Sequence, residues 1–135
     1  MTNGAEPVRI FFDASLIGPA KELAPDDARI VYPGHQAWPF DQDDADEAWL
    51  PHVGGDNWLT IMRDRKVRFR PAEKAALIEY QVRAVNVATI TNLTVAETVV
   101  LLRENWEAIE ATLASPPAFY HLTQSGLKRM LTYDE

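Results

Sequence analysis

The sequence contains no cysteine and only three histidines among its 135 residues. Disulfide bonds, thiolate zinc sites and cysteine nucleophiles are therefore excluded, and a histidine-based metal site is disfavoured. His35, His52 and His121 have no partner at the spacing of metal ligands, so we expect them to be structural. Any metal ion bound by this chain would be held by oxygen ligands.

Long apolar segments and nucleotide-binding glycine loops are also missing. No apolar run approaches the ~20 residues of a membrane span, and residues 1–7 lack the regions of a signal peptide. We therefore expect a cytoplasmic protein with no membrane partner. The absence of a glycine-rich phosphate loop and of a GxSxG elbow disfavours P-loop nucleotide chemistry and serine-hydrolase chemistry.

Positive charge is scarce, because 13 basic residues stand against 20 acidic ones and give a formal net charge of -7. This balance disfavours a protein that coats nucleic acid without sequence preference. The length and the 47% of hydrophobic residues suit one compact core. We predict a single domain over residues 1–135, with flexible ends at residues 1–7 and 134–135.

Strand and helix patterns alternate along the chain. Apolar runs predict strands over residues 8–12, 28–32, 58–62, 84–90 and 118–122. Helices are predicted after Ser15, after the acidic residues 41–47, from Pro71 and from Thr94 to Leu113, followed by a basic amphipathic tail over residues 125–133. Since parallel strands need crossover connections, we predict an α/β fold: a small parallel sheet of four to five strands flanked by helices.

Carboxylates stand at the ends of two of the predicted strands. Asp13 ends the first strand and Asp64 follows the third, separated from it only by Arg63. Ligands of open parallel sheets bind beyond the carboxyl ends of the strands, so the two acids converge if their strands are neighbours. Asp46 and Glu47 reach the same edge if the loop after the second strand carries them there. Such an oxygen-only cluster suits Mg²⁺ or Mn²⁺.

Each part of this cluster has a simpler interpretation. An aspartate after a strand is often a cap or turn former, and the acidic run before a helix is often only a solvated helix start. A basic stretch surrounds Asp64, formed by Arg63, Arg65, Lys66, Arg68 and Arg70. It suits phosphate oxygens, or it pairs with the acidic run. The recurrence of an apolar strand that ends in aspartate favours a site.

Three segments resemble the PIN-like domains of the VapC toxin type. They are Ile10 to Ser15, Asp46 to Pro51 and, most specifically, Trp58 to Glu73, where a hydrophobic strand and Asp64 precede a basic stretch and a Pro-initiated helix. The resemblance implies a small parallel sheet with helices on both sides. It also implies Mg²⁺- or Mn²⁺-dependent endoribonuclease activity and a cognate antitoxin protein as the inhibitor.

The resemblance also implies roles for particular residues. Asp13, Asp46 and Asp64 match the metal-binding acids, and Ser15 matches a polar position that assists the first acid. Asp44 and Glu47 compete with Asp46 for the middle position. RNA-binding contacts fall to Arg63, Arg65, Lys66 and Arg68. Many PIN domains carry a further acid late in the chain, which neither Asn86 nor Asn92 supplies.

Two other classes of function stay open at this point. A receiver-like domain also places acids after its first and third strands, but it needs a lysine after the last strand, where Thr123 and Gln124 stand here. A non-catalytic acidic α/β domain that acts through protein interaction is the other. The apolar face of the helix from Thr94 to Leu113 serves either the core or a homodimer interface.

Overall fold

The computed structural model describes residues 8–38, 46–63, 71–89 and 91–133, except for the side chains of residues 46–48, 71–73 and 132. Within these ranges lie six strands: β1 (Ile10–Phe12), β2 (Ile30–Val31), β3 (Leu59–Met62), β4 (Arg83–Val87), β5 (Ala118–Thr123) and β6 (Gly126–Thr132). The same ranges contain five α-helices: α1 (Ile17–Leu23), α2 (Asp46–Gly55), α3 (Pro71–Glu79), α4 (Val95–Glu104) and α5 (Trp106–Ala111).

The strands form one sheet in the order β2-β1-β3-β4-β5-β6. All neighbouring pairs from β2 to β5 are parallel, and β6 runs antiparallel to β5. The predicted α/β class is confirmed, whereas the predicted number of four to five strands was too low. The order makes β1 and β3 direct neighbours, which is the condition that the convergence of the two aspartates required.

The additional strand is β6, which the sequence pattern had indicated only as a basic amphipathic tail. It pairs with β5 from Thr123 opposite Gly126 to Ala118 opposite Thr132, with a register shift between Phe119 and Tyr120. That irregularity interrupts the alternation of apolar and polar residues by which a strand is recognised. Gly126 has a φ of 117°, which suits the tight hairpin turn before β6.

The sheet separates two apolar cores because successive strand residues point to opposite faces. On one face, Ile10, Phe12 and Ile61 pack with residues of α1, α4 and α5. On the other face, Phe11 and Met62 pack with residues of α2 and α3. The described chain is therefore a three-layer α/β/α arrangement in which β1 and β3 each have a strand on either side and are buried on both faces.

Aromatic residues fill much of the core under α2. Trp38, whose role the sequence left undecided, is 6% exposed and stacks on Phe11 with ring centroids 3.8 Å apart. Trp49 meets Phe11 edge-on at 5.0 Å, and Trp58 lies 6.0 Å from Trp38. We call Phe11, Trp38, Trp49 and Trp58 the tryptophan cluster. It packs Trp38, which follows β2, and Trp49 of α2 against Phe11 of β1.

The predicted helix from Thr94 to Leu113 is correct at its start but is not continuous. Thr94 and Glu97 form the expected capping box. The helix breaks at Asn105, which has a φ of -111° and a ψ of 8° and donates from its side chain to the carbonyl oxygen of Leu101 at 2.9 Å. Asparagine favours such local bonds over helical continuation. Val99, Leu102 and Ile109 lie in the core, so this face is core rather than a dimer interface.

A charged network ties the entrance of β2 to α5 at the opposite edge of the sheet from Asp13. The carboxylate of Asp27 accepts two bonds from the Arg29 guanidinium, at 2.9 and 2.6 Å, and one from the Trp106 indole at 3.3 Å. Arg29 also donates to Glu110. The Arg29 guanidinium lowers the pKa of Asp27 below its ordinary value of 3.8.

We expect Asp27→Asn to lower the free energy of unfolding by about 1–3 kcal/mol at pH 7, because it weakens charged hydrogen bonds. A lowered folded-state pKa stabilises the fold above the unfolded pKa and loses this effect as the pH falls through the folded pKa. The difference between wild type and variant should therefore shrink below pH 3.8. Urea denaturation at several pH values measures it.

The matched control is Asp26→Asn, which breaks the exposed ion pair of Asp26 with Arg103. The side chains of Asp26 and Arg103 are 59% and 51% exposed, so the free energy of unfolding should fall by less than about 1 kcal/mol. Equal losses in the two variants, or a difference independent of pH, would contradict the role assigned to Asp27.

Candidate functional site

The carboxyl ends of β1 and β3 lie side by side, about 4.8 Å apart in the hydrogen-bonding direction. Phe12 is in register with Ile61, and the amide of Asp13 donates to the carbonyl oxygen of Ile61 at 3.0 Å. Asp13 thus continues the pairing of the two strands by one residue. We call this side of the sheet, where the parallel strands end, the carboxyl edge.

Asp13 acts as the N-terminal cap of a short 3₁₀ turn over Ala14–Leu16. Its Oδ1 accepts a hydrogen bond from the amide of Ser15 at 3.0 Å and a second, short one from the Ser15 hydroxyl. The cap interpretation of Asp13 is therefore confirmed, and its role as a metal ligand stays a prediction. A carboxylate held by two donors has a fixed orientation, which a ligand site needs.

Ser15 also contacts the end of β3. The amide of Arg63 donates to the Ser15 hydroxyl oxygen at 3.2 Å. Through this hydroxyl, the turn after β1 and the chain after β3 are hydrogen-bonded to each other. The expected proximity of Ser15 to the first acid is present in the structure, and residue 63 immediately precedes Asp64.

The Arg63 side chain extends from β3 towards the connection between β4 and α4. Its guanidinium donates to Thr89 Oγ1 at 3.2 Å, to the Thr91 carbonyl oxygen at 3.3 Å and to Asn92 Oδ1 at 3.3 Å. Thr89 is buried and donates in turn to the Thr91 carbonyl oxygen at 2.8 Å. Neither residue type nor spacing marks Thr89 or Thr91 as part of this edge, so sequence analysis could not identify them.

Asp46 is the first residue of α2, and the described part of the chain includes its backbone but not its side chain. The amide of Trp58, just before β3, donates to the Val53 carbonyl oxygen at 2.9 Å, so α2 ends at the amino end of β3. A ten-residue helix is about 15 Å long, similar to a short strand. The end of α2 is thus placed beside β3, whereas the position of Asp46 at the carboxyl edge stays a prediction.

Several predicted site residues fall outside what the structure describes. These are Asp44, Asp64, Arg65, Lys66 and Arg68, together with the side chains of Asp46 and Glu47. Among the described side chains, no three histidine or acidic groups lie close enough together to hold a metal ion. Asp13 is the predicted acid whose side chain is described, and it lies at the carboxyl edge.

Asn86 occupies the same level of the sheet on β4. It pairs in register with Met62 of β3, which neighbours Asp13 at the end of β1, and it is 2% exposed. A buried amide therefore stands two strands away from Asp13, where its oxygen and nitrogen carry no charge. A site that included Asn86 would therefore not consist of carboxylates alone.

Comparison with family models matches residues 8–89 to the PIN like domain. This range is more than half of the chain and contains Asp13, Ser15, Asp46, Arg63 and Asp64. The chain belongs to the PIN-like family. Membership agrees with the central sheet flanked by helices and identifies the fold as nuclease-type in general. The PIN-like match ends at Thr89, before α4, α5 and the β5–β6 hairpin.

No curated protein and no solved structure matched this PIN-like chain. In the described part of the chain, no helix combines the length and the apolar character needed to cross a bilayer.

Among the described side chains at the carboxyl edge, two oxygen donors lie next to each other. They comprise the carboxylate of Asp13 and the hydroxyl of Ser15, whose proton is directed to that carboxylate. Hard divalent cations such as Mg²⁺ and Mn²⁺ prefer oxygen ligands. Asp13 is thus a ligand of the kind that such a cation takes, and the other proposed ligands, Asp46 and Asp64, lie outside the described side chains.

Proposed function

We propose that this PIN-like chain is a divalent-metal-dependent endoribonuclease and the toxin of a toxin–antitoxin pair. The observation that carries the proposal is the joining of two strand ends. Ser15 hydrogen-bonds both to Asp13, after β1, and to the amide of Arg63, the residue before Asp64. The nuclease-type family fold supports the same conclusion.

The proposed metal ligands are Asp13, Asp46 and Asp64, and Ser15, Asp44 and Glu47 are additional candidates. Mg²⁺ or Mn²⁺ bound there would supply Lewis-acid chemistry, which lowers the pKa of water and neutralises charge on a phosphodiester. The task of Ser15 is to keep the carboxylate of Asp13 in one orientation through its hydroxyl and its amide. Fixed ligands cost less reorganisation when a substrate phosphate arrives.

Substrate binding would depend on the basic stretch around Asp64. Arg65, Lys66 and Arg68 would contact phosphate oxygens, which position an RNA strand without reading its sequence. Preference among RNAs would come from unpaired bases in loops, because the grooves of an RNA helix show little sequence information to side chains. A chain with a net charge of -7 needs such a local concentration of positive charge to bind RNA.

The proposed partners are an RNA substrate and a cognate antitoxin protein, both in the cytoplasm. The antitoxin and a homodimer interface would have to use surfaces other than the apolar face of α4 and α5, because that face is buried in the core. Exposed valines on α4, Val95 at 47% and Val100 at 54%, lie outside that buried face.

The proposal is tested by incubating the purified protein with a mixture of structured RNAs in Mn²⁺, in Mg²⁺ and in chelator. We expect cleavage in either metal, none in chelator, and none by Asp64→Asn, which removes one proposed ligand. Asp26→Asn makes the same charge change at the opposite edge of the sheet and should cleave like wild type.

Wild-type protein that neither cleaves RNA nor binds Mn²⁺ in calorimetry would overturn this proposal and favour a non-catalytic or receiver-like interaction domain. Cleavage that survives in both Asp64→Asn and Asp13→Asn would place the active site elsewhere.

A further inference from the structure

The Arg63 guanidinium is engaged with the protein itself. Its three hydrogen bonds all go to residues 89–92, the connection between β4 and α4. Among the described residues, no carboxylate forms a salt bridge with Arg63. The donors of this guanidinium are thus directed at three oxygens of its own chain, two from side chains and one from the backbone.

Two threonines near these contacts make hydrogen bonds of their own. Thr89 is 5% exposed and bonds to the Thr91 carbonyl oxygen, and Thr94 begins α4 with a capping box. Arginine suits this role because its planar fork presents several donors in fixed directions, whereas lysine presents one compact ammonium group. The guanidinium therefore connects the end of β3 to Thr89, Thr91 and Asn92.

The main chain of the same residue contacts the candidate site. The Arg63 amide donates to Ser15 Oγ, and Ser15 donates twice to Asp13 Oδ1. A displacement of residue 63 would thus be passed through one hydrogen bond to Ser15 and through two more to Asp13. Side chain and main chain of one residue join the ends of β1, β3 and β4.

We propose that Arg63 is a positioning residue of the carboxylate site, an inference that rests on the proposed nuclease function. Its side chain fixes residue 63 against the β4–α4 connection, and its amide then fixes Ser15 and Asp13. RNA phosphates are contacted by other cations of the basic stretch.

The first test separates turnover from RNA binding. We expect Arg63→Lys and Arg63→Gln to lower kcat by about 10- to 100-fold, the usual cost of losing an outer partner of a metal site. RNA affinity in chelator, measured by fluorescence anisotropy with a labelled single strand, should stay within twofold of wild type. The slope of log affinity against log salt should not change, since no phosphate contact is lost.

Arg129→Gln is the matched control, because Arg129 is an exposed cation on β6, at the far end of the sheet from β1. It should leave kcat unchanged. The proposal is overturned if Arg63→Gln weakens RNA binding and reduces the salt slope by about 1 while Arg63→Lys restores both, because that pattern identifies a phosphate contact.

The second test does not depend on activity. Hydrogen exchange measured by mass spectrometry should be faster in Arg63→Lys than in wild type at the amides of positions 15 and 63. It should also be faster in residues 89–94. Faster exchange confined to residues 89–94 would show that the Arg63 side chain stabilises only the β4–α4 connection, and it would overturn the positioning role. If wild type fails to cleave RNA, the proposed function fails, and the exchange result still decides whether Arg63 orders the Asp13 turn.

A double-mutant cycle checks that the side chain acts through its observed acceptor. Thr89→Val removes the hydroxyl that accepts from Arg63 while keeping a similar volume. We expect Thr89→Val combined with Arg63→Lys to cost less in kcat and in exchange protection than the sum of the single changes. Additive effects would overturn the proposal, and thermal unfolding followed by circular dichroism identifies any variant that loses its fold.

Discussion

Asp13→Asn is expected to lower metal-dependent RNA cleavage by more than about 100-fold, since losing even an outer partner of a metal ligand costs about 10- to 100-fold. The substitution keeps an acceptor oxygen for the two Ser15 donors, and asparagine caps a helical turn about as well as aspartate. The variant therefore removes negative charge from the carboxyl edge while it preserves the local hydrogen bonds.

Three measurements on Asp13→Asn make this result specific. Cleavage rates in Mn²⁺ and Mg²⁺ report activity, calorimetric titration with Mn²⁺ reports metal affinity, and thermal unfolding reports the fold. We expect activity and affinity to fall together while the melting temperature stays close to that of wild type. Asp26→Asn, on the opposite edge, should match wild type in all three.

Retained Mn²⁺ affinity with lost cleavage would show that Asp13 acts on the substrate rather than on the metal. Retained cleavage would remove Asp13 from the site and leave it as the cap of the turn over Ala14–Leu16.

The arrangement of β1 and β3 was predictable because both strands are buried on both faces. Such strands are short apolar runs, and each ends where the chain leaves the core and a charged residue first becomes tolerable. Asp13 marks that point for β1 and Arg63 for β3. The alternation with helices then required parallel pairing. Whether β1 and β3 are adjacent in the sheet could be learned only from the structure.

Features that depend on tertiary contacts were not predictable in the same way. Trp38 lies in a loop without periodicity, and its burial follows from stacking on Phe11. The strand β6 contains the exposed residues Lys128, Arg129 and Met130, and a register shift breaks its pattern. A sequence window cannot show which of these side chains meets a neighbour that is distant along the chain.

The same limit applies to the candidate site. Charge and position indicated Arg63 as an RNA-binding residue, because a basic stretch next to an acid suits phosphate groups. The direction of its side chain depends on the acceptors near Thr89, 26 residues later. The proximity of Ser15 to Asp13 is local and was expected, whereas the bond from the Arg63 amide to Ser15 spans 48 residues.

Phe11→Ala is expected to lower the free energy of unfolding by about 3–5 kcal/mol, the usual cost of deleting a buried aromatic ring. Phe11 is 1% exposed, lies in the central strand β1, and contacts both Trp38 and Trp49. Losing a stacked and an edge-on ring contact adds to the loss of buried apolar area. Against a total stability of about 5–15 kcal/mol, this change brings the protein close to its unfolding threshold.

Urea denaturation followed by tryptophan fluorescence measures this effect, and the loss of near-ultraviolet circular dichroism reports the packing of the tryptophan cluster. Phe11→Leu keeps apolar volume and should cost less than Phe11→Ala, and Val100→Ala, at a position 54% exposed, should change stability by less than about 0.5 kcal/mol. A loss below about 1 kcal/mol in Phe11→Ala would contradict the central role of the cluster.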